Sequence, residues 1–305
     1  MIRLFVLVLS LFGCALAQGR LACHSLFLAH FPDKVSTQTA AMSVTWGLNP
    51  FDPGVFDAMP LRSSDAEAEG WRRVDEAELC DGGQFRGIRY ALDGDLAAIL
   101  IFDQNGIIAG YQTAITVEES TANGNTFPFG EKSIFRQDVI DDVDVYALTA
   151  YFIDPGRICE GRTDEEFETE GTGTGLYLQI GEDPTDPDQG HWLQNLFEED
   201  MPNNPEWVFG ACFFSMGNHY WLNIASDMDC DDFFPVFLLF NNGKLTAFGW
   251  GIHGYYESPR FEHPPSFSLG MFLDPVPNCL VEVTDTIGVS TMHIYFNSDP
   301  LDLLC

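Results

Sequence analysis

The chain has 305 residues, 46 of them acidic and 14 basic, for a formal net charge of −32, and it carries 26 phenylalanines. That excess of negative charge repels nucleic-acid phosphates and anionic membrane surfaces, so neither is expected as a partner; it favours cations, Ca²⁺ above all, or simply keeps the protein dissolved in a salty fluid. The length suits one large domain or two small ones, and the wealth of phenylalanine favours sheet over helix.

The chain opens MIRLFVLVLSLFGCALAQG. Arg3 followed by the apolar run 4–16 and the small-residue site Ala15-Leu16-Ala17 reads as a secretory signal peptide, residues 1–17, cleaved after Ala17. The run is too short for a bilayer crossing of about 20 residues. The mature protein is expected to be secreted and extracellular. Of eight cysteines, Cys14 leaves with the signal, and Cys23, Cys80, Cys159, Cys212, Cys230, Cys279 and Cys305 remain. In an oxidising compartment they should pair, and the odd number leaves a free thiol or a disulfide-linked partner. There is no C-x-x-C and no N-x-[ST] sequon.

Helix signals are few: residues 24–31 and 195–200 fit short helices, and 66–79 is polar with weak periodicity. Strand signals come in two sets. FRGIRYAL (85–92) lies over SMGNHYWL (215–222), matching Gly87 with Gly217, Arg89 with His219 and Tyr90 with Tyr220. AILIFDQNGIIAGYQTAI (98–115) lies over VFLLFNNGKLTAFGWGI (236–252), and YFIDPGRIC (151–159) over MFLDPVPNC (271–279). Three matches in one order predict two diverged repeats, 18–160 and 161–305. In each, Asn-Gly between apolar runs predicts a hairpin with a type I′ turn. Runs 99–102 and 236–240 lack alternation and should be buried on both faces. Glycines in the following strands mark a bulge, a barrel corner or close approach to a ligand. The matched cysteines suggest Cys80–Cys159 and Cys212–Cys279 as equivalent bridges, with Cys212–Cys230 a rival. The stretch 156–175, acidic and rich in Gly and Thr, reads as a surface loop and the junction between repeats.

Three constellations could carry chemistry. In EDPTDPDQGH (182–191), Asp186 and Asp188 resemble part of a calcium loop, although Pro184 and Pro187 interrupt it; an acidic turn is the alternative. In SDMDCDDFF (226–234), Asp229 and Asp231 could hold a cation, or sit on a solvated connection. The third is aromatic and histidine-rich: His219, Trp221, Trp250, His253, Tyr255, then Glu262 and His263, with Arg89 and Tyr111 from the first repeat. Aromatic walls with a few polar groups describe a small-molecule site, with His219 or His253 as acid or base. No G-x-S-x-G or H-E-x-x-H occurs, and GTGTG (171–175) precedes a strand-like LYLQI rather than a helix, which argues against a nucleotide site. His219 faces Arg89 in the repeat alignment: both copies place a hydrogen-bonding or cationic group beside a tyrosine, where a plain core position would accept an apolar residue.

The string C-x-x-x-M-G-N-H-Y-W (212–221), with PVFLLFNNGKLTAFGW (235–250) and FEHPP (261–265), resembles a family of secreted invertebrate proteins and is similar there to the secreted luciferases of syllid fireworms. The resemblance implies an extracellular enzyme that oxidises a small aromatic substrate with O₂, and it carries over no catalytic residue.

The expected fold is mainly β: two diverged antiparallel β repeats, barrel- or sandwich-like, stabilised by disulfides and with few short helices. The expected function is binding of a small apolar or aromatic ligand. The alternatives are a luciferase-type oxidative enzyme on the same pocket, and an acidic Ca²⁺-binding matrix protein.

Overall fold

The computed structural model describes residues 16–17, 20–21, 40–74, 80, 83–194, 197–296 and 299–305. Two units are distinguished, Met1–Ser36 and Thr37–Cys305. In the first, β1 (Leu16–Ala17) pairs with β2 (Arg20–Leu21). The remainder of the proposed signal peptide, Cys23 and the expected helix at 24–31 lie outside the described residues.

The second unit runs β3 (Ser43–Val44), β4 (Asp57–Ala58), α1 (Ser63–Ala68), β5 (Arg72–Arg73), β6 (Ile88–Ala91), β7 (Ile99–Phe102), β8 (Ile108–Thr116), β9 (Arg136–Ile140) and β10 (Val143–Tyr151). It continues α2 (Asp164–Glu170), β11 (Gly175–Gln179), β12 (Gly190–Gln194), β13 (Trp207–Phe213), β14 (Gly217–Leu222), β15 (Val236–Asn241), β16 (Lys244–His253), α3 (Asn278–Thr286) and β17 (Val289–Tyr295). The strands form two antiparallel sheets. The first has the order β5-β6-β7-β8-β10-β11-β12, with β9 also on β10; the second has the order β13-β14-β15-β16-β17-β3-β4.

The two orders are the same path traced twice. Arg89 stands opposite Ile101 and Ile101 opposite Gly110; His219 stands opposite Leu239 and Leu239 opposite Ala247. Each central hairpin carries a register shift at the same place, Ile101/Phe102 and Leu239/Phe240. Gly87 and Gly217 open β6 and β14 at φ +93° and +101°, and a β-carbon on either would run into the facing strand, at Ile101 and Phe102 in one copy and Phe240 in the other. Only glycine meets both demands.

The second copy is completed from the other end of the chain. Its last hairpin, β3–β4, precedes the whole first sheet, and Ser43 pairs with Tyr295. At the other boundary, β11 and β12 extend the first sheet beyond residue 160, so the sheets do not divide where the repeats were drawn. The third sequence match also shifts. Tyr151 ends β10 and Tyr295 ends β17, so YFIDPGRIC corresponds to the C-terminal Tyr295-Phe296 with Asp299-Pro300, each followed by a 3-10 turn and a cysteine. The equivalent bridges are therefore Cys80–Cys159 and Cys212–Cys305. Cys279 pairs with Cys230, not Cys212.

The sheets pack face to face. Inward side chains of one, Leu100, Phe102, Tyr111 and Leu148, share a core with Leu238, Phe240, Phe248 and Trp250 of the other. Phe152 and Phe296, at matching positions, meet with ring centroids 5.1 Å apart. Each such side chain contributes about 1.5–3 kcal/mol by leaving water. β7 and β15 are buried along their whole length, as their unalternating sequences require. The second hairpin turns at Asn242-Gly243, both at positive φ, the type I′ signature. The first hairpin differs: Asp103 accepts from the amides of Asn105 and Ile107, both at 3.0 Å, and only Gly106 has positive φ, giving a three-residue loop.

The junction loop at 156–175 holds α2, capped by a reciprocal Thr163–Glu166 pair, and Arg162, which is wholly buried beside a wholly buried Asp103. Of the expected helix at 195–200, residues 195 and 196 lie outside the described residues, and the rest leads into a 3-10 segment, Glu198–Asn203.

Candidate functional site

The outer face of the second sheet does not meet solvent. A 3-10 segment, Ser266–Met271, and α3 lie across it and bury an apolar cluster that includes Trp221, Phe237, Leu239, Leu269, Leu273 and Leu280. The Cys230–Cys279 bridge ties the first turn of α3 to the loop before β15, and Asn278 donates to the Ser226 carbonyl at 3.0 Å. Trp221 Nε1 donates to the Phe272 carbonyl at 2.9 Å, fixing the roof to the sheet.

Between roof and sheet lies a cavity of about 400 Å³. Its floor is set by strand alternation: His219 and Trp221 of β14, Phe237 of β15, Gly251 of β16, and Val289, Thr291 and His293 of β17 all project outward. Gly249 lets the Phe237 ring lie flat on the sheet, and Gly251 leaves room above it. A β-carbon on Gly249 would strike the Phe237 ring and the Met292 carbonyl, while one on Gly251 would project into the cavity, 3.5 Å from Trp221. Trp46, Phe213, Phe272 and Leu269 close the walls, and the cavity reaches the surface past Phe267, which is 84% exposed.

The polar groups gather in one corner. Glu262 Oε1 accepts from the Trp46 amide at 2.7 Å, and Oε2 accepts from the Thr291 hydroxyl at 3.0 Å. His293 Nδ1 lies 3.2 Å from the same Oε2. The backbones of Glu262 and Thr291 exchange two hydrogen bonds of 2.8 Å, which holds the carboxylate at the strand. His219 Nδ1 donates to the Ala211 carbonyl at 3.0 Å. Burial, reinforced by the neighbouring His293, pushes the His219 pKa down to about 3, so at neutral pH it is an uncharged hydrogen-bonding group.

Of the residues singled out from the sequence, His219, Trp221, Glu262 and His263 line this cavity. His263 stacks on Tyr255, centroids 3.8 Å apart, and Tyr255 itself is half exposed at the rim. His253 lies on the same face at the far end of β16. It stacks on Phe233 and abuts Phe127, and burial lowers its pKa to about 4; it does not line the cavity and cannot act with His219. Trp250 and Tyr111 project the other way, into the core between the sheets. Arg89 sits on the first sheet, where Nη1 donates to Asp138 at 2.6 Å and Gln112 at 2.9 Å. The acidic loops are occupied by their own turns: Asp186 accepts from the Asp188 amide and Gln189, and Asp229 from the Asp231 amide. Among the described residues, no three His, Cys, Asp or Glu side chains converge in a metal-binding arrangement.

His293, Thr291 and Trp46 were not legible as site residues. The first two alternate in STMHIY, the pattern of any half-buried strand, and Trp46 lies far away in sequence on the hairpin that crosses from the other end of the chain.

Among the described residues, no helix is long and apolar enough to cross a membrane. The chain matches no family model, no curated protein and no solved structure.

Proposed function

We propose that the protein is secreted and binds a small apolar or aromatic molecule in the cavity on the outer face of its second sheet. One observation carries this reading. A cavity of about 400 Å³ is walled by aromatic and aliphatic side chains and has its few polar groups at one end, the composition of small-molecule sites. The three disulfides support an oxidising compartment.

Titration with the neutral fluorescent probe N-phenyl-1-naphthylamine tests the reading. Saturable enhancement, lost in Gly251→Leu while the far-UV spectrum is kept, is the expected result. Binding unchanged in Gly251→Leu would place the site elsewhere.

A second reading, an oxidative enzyme of luciferase type on the same ligand, has its own support: a carboxylate beside Nδ1 of a buried histidine is the arrangement of an oriented general base. Consumption of O₂ with light emission, on adding extracts of candidate substrates to the purified protein, separates this from binding alone.

A further inference from the structure

The polar corner of the cavity has a sign. A carbonyl oxygen only accepts, so Nδ1 of His219, facing Ala211 at 3.0 Å, carries the ring hydrogen and Nε2 is a lone pair. In His293 the nitrogen that approaches the Glu262 carboxylate, at 3.2 Å, is Nδ1, and a ring hydrogen on that side leaves Nε2 a lone pair as well. His293 is 5% exposed, and neither of its ring nitrogens has a hydrogen-bond partner among the described residues. A buried acceptor left unmatched loses its hydration without return, so such a group calls for a donor from elsewhere. Glu262 has its oxygens filled by Trp46 and Thr291. No lysine or arginine is among the residues that line the cavity. With a net charge of −32 around it, an anion has nothing to receive it there.

We infer that the ligand is a neutral aromatic molecule bearing an O–H or N–H donor, phenolic in type, and that the Glu262–His293 pair receives that donor while the aromatic walls hold the ring. This rests on the cavity being a binding site. The pair orients the ligand: Glu262 fixes the tautomer of His293, and His293 presents the lone pair.

The test uses the full secreted chain and three probes of one size, 2-naphthol, naphthalene and 2-naphthoate, measured by calorimetry at neutral pH. Naphthol should bind about tenfold tighter than naphthalene, the worth of one hydrogen bond to a buried acceptor, and naphthoate weakest of all. His293→Thr, which installs Thr149's residue type from the matching position of the first sheet, should bring naphthol down to the affinity that naphthalene has for the same variant. Glu262→Gln should shrink the advantage, and His219→Phe should leave it. Equal affinity for naphthol and naphthalene, or tightest binding of naphthoate, overturns the inference while leaving the cavity a binding site. Loss of the advantage in His219→Phe instead of His293→Thr overturns the choice of acceptor. If none of the three binds the wild-type protein, the cavity reading itself falls.

Discussion

The outer faces of the two sheets are the same surface built twice and put to opposite ends. In the ladder, Arg89, Gln112 and Thr149 of the first sheet occupy the places of His219, Gly249 and His293 in the second. On the first sheet they form a closed chain: Arg89 donates to Asp138 and Gln112, and Gln112 Nε2 donates to the Thr149 hydroxyl at 2.7 Å. On the second sheet the middle member is a glycine with the Phe237 ring lying over it, the flanking pair are histidines, and His219, Phe237 and His293 line the cavity floor. The tyrosine one register position along shows the same divergence. Tyr151 accepts from the Arg86 amide and donates to Gln179, both at 3.0 Å, whereas the Tyr295 hydroxyl is buried with no partner among the described residues. The second sheet repeats the scaffold of the first without its chain of polar side chains, and carries a cavity where the first has a closed face.

If the two copies are locked alike, their equivalent bridges should matter alike. Cys80→Ala with Cys159→Ala, and Cys212→Ala with Cys305→Ala, open loops of 79 and 93 residues. Each pair should lose about 4 kcal/mol in denaturant unfolding; a large difference between them would show that one copy leans on the other. Next in size is the polar chain of the first sheet. Arg89→Leu should cost about 3 kcal/mol, because it strands Asp138 beside a buried Gln112. His219→Leu, at the matching position, gives up one neutral hydrogen bond and should cost only about 1 kcal/mol.

Acid should separate the faces further. His219 is held at a pKa of about 3, below its unfolded value of about 6.5. Between those values the unfolded chain binds the extra proton, so the contribution is complete above pH 6.5 and declines as pH falls. By pH 5 the loss attributable to His219 is about 2 kcal/mol, and His219→Phe should remove that part of the pH slope. The two glycines should differ, and the smallest effect is at Gly251. Gly249→Ala should destabilise by about 1–2 kcal/mol through contact with Phe237 and a backbone carbonyl, whereas Gly251→Ala, which meets Trp221 and Phe233 only at ordinary contact distance, should change stability within about 0.5 kcal/mol.

Much of this scaffold is readable in the sequence. The apolar runs of β7 and β15, the Asn-Gly turns and the Gly87/Gly217 match all report local backbone chemistry, and local chemistry survives divergence. The pairing Arg89/His219 held in register because both lie a fixed two residues beyond that glycine. What could not be read depends on the path of the chain. The match of YFIDP with MFLDP followed letters, while its counterpart in the ladder, Tyr295-Phe296 with Asp299-Pro300, has one more residue inserted. The helix α3, NCLVEVTDT, is rich in β-branched residues and looks like a strand until the sheet beneath it is known. For α2 the capping signal Thr163-x-x-Glu166 was present, but no apolar stripe accompanied it. Of the aromatic residues named from the sequence, Trp221 faces the cavity while Trp250 and Tyr111 face the core, because alternation assigns faces and only the fold says which face is hollow.

The hairpin β3–β4 has one more consequence. The second sheet closes only when a segment from before residue 60 returns to β17, near the last described residues. Trp46, one residue past the short strand pair, then caps the cavity. A ribosome releasing this chain cannot finish the halves in turn: the first sheet can assemble early, but the second waits for the closing of a loop almost as long as the protein, the slowest kind of contact a chain can make. Until then the aromatic floor of the cavity is exposed, so the cavity is the last part of the molecule to come into being.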